Sequence, residues 1–435
     1  MATGSAKPKK PLHHTAIAAL KRTGSTLKKL KPTPNSIGTL AARRVARRRS
    51  TGLQFALADR VDFLNPTHWD SLAEQTVCLS RDYLRVLEQH APDNLRTRYA
   101  MAYDDDGRPV AIMLFQRVKV SGDRLRKHGS KRLLDKPIAK LEEHLLVCGN
   151  LLVWGARSVA FAPDVDRSQL WNAVAESLYR LRRADKLLGE SNLAMIKDFD
   201  ANDTEAVDVL RLLGYRSVET EPDMVLSLKP AWKHFDDYLA NLTSSYRSAA
   251  KRLPKDCAAE NITFRLVDAA EMTARQVELQ GLYDQVHQAQ GLRLASLTPG
   301  YLGAMAHALG DRFVCRVAER DGRWLGFITS VKDGDTAIGY YVGYDREANA
   351  QAPIYLALLQ STIEDAIGFG ATRLSLGRTA LEPKSKMGCK PEPLACAVRH
   401  RVSALNWAIS ALTRTADPDA PPERSPFKTG GAPSA

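Results

Sequence analysis

The chain of 435 residues has an apolar fraction of 44%, a charged fraction of 26% and a net charge of +13. These values are typical of a soluble globular protein with two or three domains, and no run of about 18 apolar residues is present that would predict a membrane-spanning helix. The six cysteines form no Cys-x-x-Cys pair, which argues against a zinc site or a disulfide framework and favours a reducing cytoplasm.

The positive charge lies in the N-terminal segment, residues 1–52, which holds 13 Lys and Arg and no Asp or Glu. The rest of the chain is neutral, because 62 − 13 leaves 49 basic residues against 49 acidic ones. Few large apolar side chains occur in this segment, so we predict a disordered basic tail. A transit peptide, a contact with an anionic membrane or RNA, and a solubilising extension all remain open.

Residues 53–230 predict an N-terminal domain. Apolar residues near a period of 3.6 predict a helix over 66–95, and a hairpin turn at Asp106-Gly107 joins two strand-like runs. Residues 121–140 read as a polar, basic insertion. Further strands and the helices at 168–184 and near 205–215 complete this part.

Residues 231–413 predict a C-terminal domain with the same order of elements. Both parts contain a strand, an Asp-Gly-Arg hairpin, further strands, a helix and a strand, which indicates a tandem duplication. Residues 414–435 are rich in Pro, Ala, Gly and Ser and predict a second disordered tail.

An anion site is predicted where the strand ending near Tyr344 meets a helix that we expect to open at Pro353. Pro is favoured at the first helical position, and the free N–H groups of a first helical turn attract anions. Arg346 lies in the connecting segment. An ordinary connection with a solvated arginine is the alternative.

Tyrosines are concentrated on the strand before this connection. Tyr340, Tyr341 and Tyr344 are candidate catalytic residues, because a phenol can protonate a leaving thiolate or orient an amine. Strand alternation predicts that Tyr341 faces away from Tyr340 and Tyr344. Which tyrosine acts stays open, since aromatic residues are also simply favoured in strands.

A cationic segment follows the last strand of this part. If that strand splays from its neighbour, Arg378, Lys384 and Lys386 stand at the mouth of a slot and can bind an anionic substrate group. On a predicted helix further upstream, Arg247 and Lys251 share one face at i, i+4 and are candidates to hold an anionic acceptor. A solvated face is the alternative for both sets.

Several catalytic signatures are missing from the sequence, namely G-x-S-x-G, H-E-x-x-H, the Walker motif and G-x-G-x-x-G. The stretches DGRWLGFITSVKDGDTAIGYYVGYD, APIYLALLQSTIEDAIGFGATRLSLGR and KSKMGCKP resemble the GNAT acyltransferase superfamily. The order of elements resembles its tandem branch, which includes Fem-type cell-envelope acyltransferases. The likeness is strongest over residues 235–395 and weaker over 60–230.

The resemblance implies an α/β (α+β) fold of two GNAT-like domains in tandem, each a mixed, mostly antiparallel sheet flanked by helices. It implies a splay between the fourth and fifth strands of the catalytic half, with an acyl carbonyl in the gap and direct attack by an amine. The N-terminal half is expected to be non-catalytic.

For the cofactor, the resemblance implies a coenzyme A pyrophosphate loop at the segment REANAQAP. Arg346 matches the first position of the family's loop, while Asn349 and Gln351 replace small residues. Ala352 and Tyr355 complete the expected contacts. Because Asn tolerates a positive φ, we expect the loop shape to persist.

The sequence therefore predicts an N-acyltransferase with acyl-CoA as co-substrate, no permanently bound cofactor and no metal. The expected partner is an amine acceptor, either a small molecule or an envelope precursor. The expected location is the cytoplasm or the inner face of the membrane. An aminoacyl-tRNA-dependent Fem-type transferase and a silent GNAT scaffold that only binds ligands are the alternatives. The acyl group, the acceptor and the oligomeric state stay open.

Overall fold

Two β-sheets with flanking helices organise the chain. The computed structural model describes residues 45, 50–121, 142–287, 294–406 and 422–428. The chain divides into two compact units, residues 1–49 and 50–435. In the first unit only Val45 is described, and it is helical and exposed. Everything below concerns the second unit.

The first sheet has the strand order β1-β2-β3-β4-β6-β15-β7, with β5 paired to β3, and the second has the order β14-β8-β13-β12-β11-β10-β9. The strands are β1 (Gln54–Ala58), β2 (Leu95–Tyr103), β3 (Pro109–Ser121), β4 (Glu142–Cys148), β5 (Val159–Phe161), β6 (Ser191–Asp200), β7 (Arg216–Glu219), β8 (Asp223–Ser227), β9 (Thr263–Val267), β10 (Phe313–Arg320), β11 (Arg323–Asp333), β12 (Thr336–Tyr344), β13 (Arg373–Ser375), β14 (Lys390–Glu392) and β15 (Leu394–His400).

The α-helices of the described residues are α1 (Pro66–Ala73), α2 (Arg81–Gln89), α3 (Arg167–Ala184), α4 (Thr204–Leu212), α5 (Phe235–Asn241), α6 (Ser244–Ala259), α7 (Ala269–Ala274), α8 (Gln276–His287), α9 (Tyr301–Leu309), α10 (Arg346–Gln351), α11 (Ile354–Gly368) and α12 (Leu381–Lys386). Short 3₁₀ turns occur at Val61–Phe63, Val77–Leu79, Asp185–Leu188 and Gly310–Arg312.

The two sheets repeat one connection pattern. In the first, β2, β3 and β4 pair antiparallel and β4 then pairs parallel with β6. In the second, β10, β11 and β12 pair antiparallel and β12 then pairs parallel with β13. The helices α3 and α11 precede the strands β6 and β13. The predicted α/β fold of two GNAT-like domains in tandem, each with a mostly antiparallel sheet, is thereby confirmed.

Each half contributes one strand to the sheet of the other half. Strand β8, which comes before the predicted division at 230/231, pairs with β13 and β14 in the second sheet. Strand β15, from the end of the second half, pairs with β6 and β7 in the first. A boundary in the sequence therefore does not separate the two sheets, and the strand exchange joins both halves into one unit.

The predicted hairpin turns form as their residues dictate. At Asp106-Gly107 the glycine has φ +78° and donates its N–H to the carbonyl of Asp104 at 3.1 Å. At the second turn both Asp321 and Gly322 have positive φ, 52° and 77°, as a two-residue turn between twisted strands requires. The predicted helix over 66–95 is wrong in its continuity. Residues 66–95 instead form α1, a 3₁₀ turn and α2, because the Ser80 hydroxyl accepts a hydrogen bond from Tyr83 N–H and starts a new helix.

The core of the second half lies between its sheet and α11. Ile354, Leu358 and Ile363 of this helix are fully buried, and each such side chain stabilises the fold by about 1.5–3 kcal/mol. On the other face α8 packs directly onto β12. A Cβ atom at Gly343 would lie 2.6 Å from the backbone nitrogen of Tyr283, so this close approach requires glycine.

The structure differs from the predicted boundaries of the two disordered tails. Thr51 bonds the Glu176 carboxylate through its N–H (3.0 Å) and its hydroxyl (2.9 Å), so residues 50–52 belong to the folded body. The prediction of disorder is also wrong for 422–428, since the Phe427 ring lies 6.1 Å from the rings of Trp232 and Tyr238. Residues 1–44, 414–421 and 429–435, and nearly all of the basic insertion at 121–140, lie outside the described residues.

Among the helices of the described residues, none combines the length and the apolar character needed to cross a bilayer.

Candidate functional site

A wedge opens between strands β12 and β13. The two strands pair at only three positions, Thr336 with Arg373, Ala337 with Leu374 and Ile338 with Ser375. Strand β13 ends there, while β12 continues through residues 339–344. The equivalent strands of the first sheet, β4 and β6, stay paired through Cys148, the last residue of β4. The predicted splay between the fourth and fifth strands is confirmed, and it occurs in the second half.

A β-bulge in β12 lies beside this wedge. Ile328 pairs with Val342 and Ser330 pairs with Gly339, so Tyr340 and Tyr341 together oppose Thr329. The Thr329 hydroxyl accepts a hydrogen bond from Tyr341 N–H at 2.9 Å and donates to the Tyr341 carbonyl at 3.2 Å. The side chain thus replaces ladder bonds that the bulge interrupts, as bulges beside functional sites commonly need.

The bulge overturns the prediction that Tyr340 and Tyr341 face opposite ways. Their ring centroids are 4.8 Å apart, because one extra residue shifts the alternation of side chains. The Tyr341 ring packs 5.8 Å from Tyr283 of α8, and Tyr340 bonds to Tyr301 of α9. Tyr344 points away from them, with its ring 5.4 Å from that of Tyr355.

A cavity of about 340 Å³ fills the wedge, and residues of both halves line it. Its aliphatic wall consists of Leu151, Leu152, Val153, Val286, Leu294, Ala295, Ile328, Ile338, Val342, Leu359 and Leu376. Its aromatic and polar wall consists of Trp154, Lys197, Tyr283, His287, Tyr340, Tyr341, Tyr355, Arg378, Thr379 and Lys384, with Gly339 and Gly377. The size and the mixed lining are those of a small-molecule site.

A network of tyrosine hydroxyls forms one side of the site. The Tyr340 hydroxyl lies 2.8 Å from that of Tyr83 and 2.6 Å from that of Tyr301. Asn150 donates from Nδ2 to the Tyr83 hydroxyl at 3.0 Å. Burial raises the pKa of Tyr340 well above its ordinary value and that of Tyr301 to about 12. These phenols are therefore protonated at neutral pH, and they tie α2 of the first half to the bulge.

The Tyr341 hydroxyl has a different partner. It donates to the backbone carbonyl of Leu152, in the segment that follows β4. Both tyrosines of the bulge thus connect the second sheet to the N-terminal half.

The other end of the cavity is cationic. Lys197 and Arg378 both bond the carboxylate of Asp198, and the three side chains are only 5%, 9% and 1% exposed. Lys197 also donates from Nζ to the Val153 carbonyl at 2.8 Å. Its ammonium and the Arg378 guanidinium lie 4.6 and 4.8 Å from the ring centroid of Trp154. Burial lowers the pKa of Lys197, and the adjacent Asp198 opposes that effect.

Sequence reasoning missed Lys197, Asp198 and Trp154. They lie in or beside strands of the N-terminal half, which was expected to be non-catalytic. The available signal was the adjacent Lys-Asp pair that follows the apolar run LAMI of the strand, since a charged pair in a buried strand needs a reason.

The predicted pair of lysines separates in the structure. Lys384 is 3% exposed and bonds the backbone carbonyls of Gly377, at 3.0 Å, and Arg378. Burial lowers its pKa to about 8. Lys386 does not line the cavity but pairs on the surface with Glu382 at 3.1 Å. The segment is helical (α12), so two residues along the chain rotate the second lysine away from the first.

Lys384 holds a strained turn at the end of the wedge. Gly377, Thr379 and Ala380 have φ values of 69°, 63° and 48°. Asp223 supports the same turn, since its carboxylate accepts hydrogen bonds from Gly377 N–H at 2.9 Å and the Ser375 hydroxyl at 2.7 Å. Non-glycine residues at positive φ need such support from their surroundings.

The expected pyrophosphate loop is a helix. Asp345 caps α10 by accepting from the N–H groups of Glu347 and Ala348, each at 3.0 Å. The Asn349 carboxamide oxygen accepts a hydrogen bond from Tyr355 N–H at 2.8 Å. Asn349 has no positive φ, and α11 begins at Ile354 rather than Pro353. The predicted loop shape is therefore wrong, because aspartate starts a helix where the family has a turn.

The remaining predicted residues lie apart from the cavity. Arg346 is exposed, Gln351 is exposed, and Ala352 is buried with its carbonyl bonded to Ile354 N–H at 2.7 Å. Arg247 and Lys251 lie on α6 and do not line the cavity. The predicted residues that do line it are Tyr340, Tyr341, Tyr355, Arg378 and Lys384.

Comparison with known proteins finds one domain family that matches part of the chain and several solved structures of similar fold. Residues 240–385 match the acetyltransferase (GNAT) domain family. The solved structure of FemX superimposes with a TM-score of 0.51 and 11% identity, over 80% of this chain and 98% of its own. A tandem GNAT protein from the clavulanic acid biosynthesis pathway gives 0.46 and 10%, over 80% and 98%. L-PGS from Bacillus licheniformis gives 0.44 and 14%, over 76% and 94%.

A search of curated proteins finds no match to this chain. Residues 240–385 are thus a GNAT domain, a type of domain that acyltransferases use, and the wedge lies within it.

Proposed function

We propose that the protein is an N-acyltransferase that moves an acyl group to an amine acceptor inside the wedge cavity. The open edge of β12 carries this proposal. Residues 339–344 run past the last pair with β13, and the bulge at Tyr340 and Tyr341 lies on the cavity wall. Backbone N–H groups on such an edge are suited to polarise an acyl carbonyl.

The proposed acyl transfer uses these backbone N–H groups and a proton donor. The amine nitrogen attacks the carbonyl carbon and forms the new C–N bond, and the backbone N–H groups stabilise the negative oxygen that develops. The C–S or C–O bond to the leaving group then breaks. The proton that the amine loses balances the one that the leaving group takes. Tyr340 and Tyr341 are the proposed proton donors, because both residues line the cavity and the raised pKa of Tyr340 keeps it protonated.

Acyl-CoA is the first proposed donor, in keeping with the GNAT match. A second candidate, an aminoacyl ester such as aminoacyl-tRNA, is favoured by one observation. The Asn349 side chain occupies Tyr355 N–H, and the Ala352 carbonyl occupies Ile354 N–H, so two N–H groups at the start of α11 already have partners. Fewer free N–H groups therefore remain at the start of α11 to bind a pyrophosphate.

The positive charges of the cavity and of the N-terminal segment support the proposed acceptor and the proposed location. The three cations at the end of the cavity favour an acceptor with a polar or anionic end, as an envelope precursor has. The 13 basic residues of 1–52 support a cytoplasmic protein held at the inner face of a membrane.

The test is a panel of donors and a turnover assay. Full-length protein is melted with acetyl-CoA, a long-chain acyl-CoA, free coenzyme A and aminoacyl-tRNA, since a ligand at 100 times its Kd stabilises the folded state by about 2.7 kcal/mol. Stabilisation by the thioesters, with release of free thiol when amines are added, supports an acyl-CoA donor. Stabilisation by aminoacyl-tRNA alone supports the ester donor. No shift with any of them contradicts the proposal and leaves a silent scaffold.

A further inference from the structure

An unpaired donor lies at the cationic end of the cavity. The Arg378 side chain is 9% exposed, and its terminal nitrogen bonds Asp198. Its Nε is fully buried and has no hydrogen-bond partner among the described residues. A buried charged donor without a partner is destabilising, and native proteins keep such a group for a reason.

Arg378 differs in its location from the other arginines whose Nε is buried without a partner. The Nε atoms of Arg117, Arg216 and Arg316 are also buried without a partner. None of these three arginines lines the cavity, whereas Arg378 does. Of these four arginines of the described residues, Arg378 is therefore the one whose side chain both lines the cavity and has a buried Nε without a partner.

The balance of charge points the same way. In the part of the chain that the structure describes, the cavity wall contains Lys197, Arg378 and Lys384 and no carboxylate. Asp198 neutralises one charge of the Lys197 and Arg378 pair. Lys384 donates from Nζ to the backbone carbonyls of Gly377 and Arg378. The residues that line the cavity therefore carry more positive than negative charge, which favours an anionic group there.

We infer that Arg378, Lys197 and Lys384 form a subsite for an anionic group, a carboxylate or a phosphate, so that the acceptor is an amine that also bears a negative charge. The inference rests on the proposed function and specifies its substrate class. The planar guanidinium matches either group. Anchoring the anion at this end holds the amine in the same cavity as the bulge, where the acyl carbonyl is proposed to lie.

The test measures binding without any donor, so it does not depend on catalysis. Calorimetry on the full-length protein at pH 7 and constant ionic strength compares L-alanine with L-alaninamide, and O-phosphoethanolamine with ethanolamine. In at least one pair the anionic member is expected to bind about ten-fold or more tightly than its neutral analogue. The pair that shows the larger ratio distinguishes carboxylate from phosphate.

Two variants complete the design. Arg378→Gln is expected to lose the preference for the anion, while Arg373→Gln, on the strand just before it but paired with Glu392 at 2.7 Å on the surface, is expected to keep it. Equal binding within both pairs, no binding of either anion, or an unchanged preference in folded R378Q overturns the inference. If R378Q does not fold, the two ligand pairs measured on the wild-type protein test the inference on their own. Anion binding without turnover on any donor would contradict the transferase and leave the subsite standing.

Discussion

The hydroxyl of Thr329 bonds both backbone groups of Tyr341, the N–H at 2.9 Å and the carbonyl at 3.2 Å. This one side chain fills the place of a ladder partner opposite the bulge of β12. The bulge turns Tyr340 and Tyr341 to the same side and leaves the edge of β12 open to the cavity. The geometry of the proposed acyl site therefore depends on a buried hydroxyl that does not itself line the cavity.

Thr329→Val tests this dependence. The substitution keeps the shape of the side chain but leaves the buried N–H of Tyr341 without its partner, so we expect a loss of about 1–3 kcal/mol in the free energy of unfolding. The rate of acyl transfer should fall by a larger factor than the affinity for the donor. Urea denaturation and steady-state kinetics measure both. Thr329→Ser keeps the hydroxyl and should retain most activity, and a fully active T329V would show that the bulge does not need it.

Asn349→Ala tests the cap of α11. Removing the carboxamide frees Tyr355 N–H, and loss of a cap of this kind lowers the free energy of unfolding by about 0.5–2 kcal/mol. Gln351→Ala, at an exposed position of the same short helix, is the matched control and should change little. Denaturation curves of the two variants compare them. Equal stability of N349A and the wild type would mean that this hydrogen bond contributes nothing.

Lys384 predicts a pH dependence of stability. Its pKa is about 8 in the folded protein, below the value of about 10.4 for a free lysine, so between these values the unfolded chain binds more protons than the folded one. Stability contributed by this group therefore rises with pH from about 8 to about 10.4, by up to about 3 kcal/mol, and the penalty for burying the charge is fully present below pH 8.

The measurement is the difference in free energy of unfolding between the wild type and Lys384→Met across that pH range. Subtraction removes the other groups that titrate there. We expect the difference to shift in favour of the wild type as the pH rises, and Lys386→Met, at the exposed surface pair, should show no such trend. A flat difference for K384M would contradict a buried, partly neutral lysine.

Truncation separates the basic tail from the body. Removal of residues 1–49 should leave the free energy of unfolding unchanged and abolish any binding to anionic vesicles or single-stranded RNA. Removal of 1–52 should in addition lower stability by about 1 kcal/mol or more, because Thr51 loses its bonds to Glu176. Sedimentation with vesicles or RNA and urea denaturation measure the two effects. Binding that persists without residues 1–49 would assign it to the body.

Local chemistry accounts for the parts of the fold that the sequence predicts. Asp-Gly turns fix both hairpins through their positive φ, and the recurrence of one order of elements indicates the duplication. The exchange of β8 and β15 between the sheets could not be predicted, because strand pairing depends on contacts between residues far apart in the chain.

The site was predicted less completely, for similar reasons. Nothing in the run around Tyr340 and Tyr341 indicates that two residues will oppose one, since the partner Thr329 lies on another strand. Lys384 and Lys386 were both expected at the mouth of the slot, but only tertiary packing decides which of two nearby lysines is buried. Arg378 was placed correctly on the slot because it directly follows the splayed strand, whereas Asp198, its partner from the other half, could not be found from spacing.

Blocking the wedge tests the central claim most directly. Val342 lines the cavity on β12, so Val342→Trp fills the space proposed for the reacting carbonyl, while Val277→Trp, at a position on α8 that is 81% exposed, is the matched control. Acyl transfer from whichever donor supports turnover is measured for both variants alongside their melting temperatures. We expect V342W to fold and lose about 100-fold or more in rate while V277W stays active, as loss of a bound, oriented substrate implies. A folded V342W that transfers acyl groups as fast as the wild type would contradict the wedge as the site of the reaction.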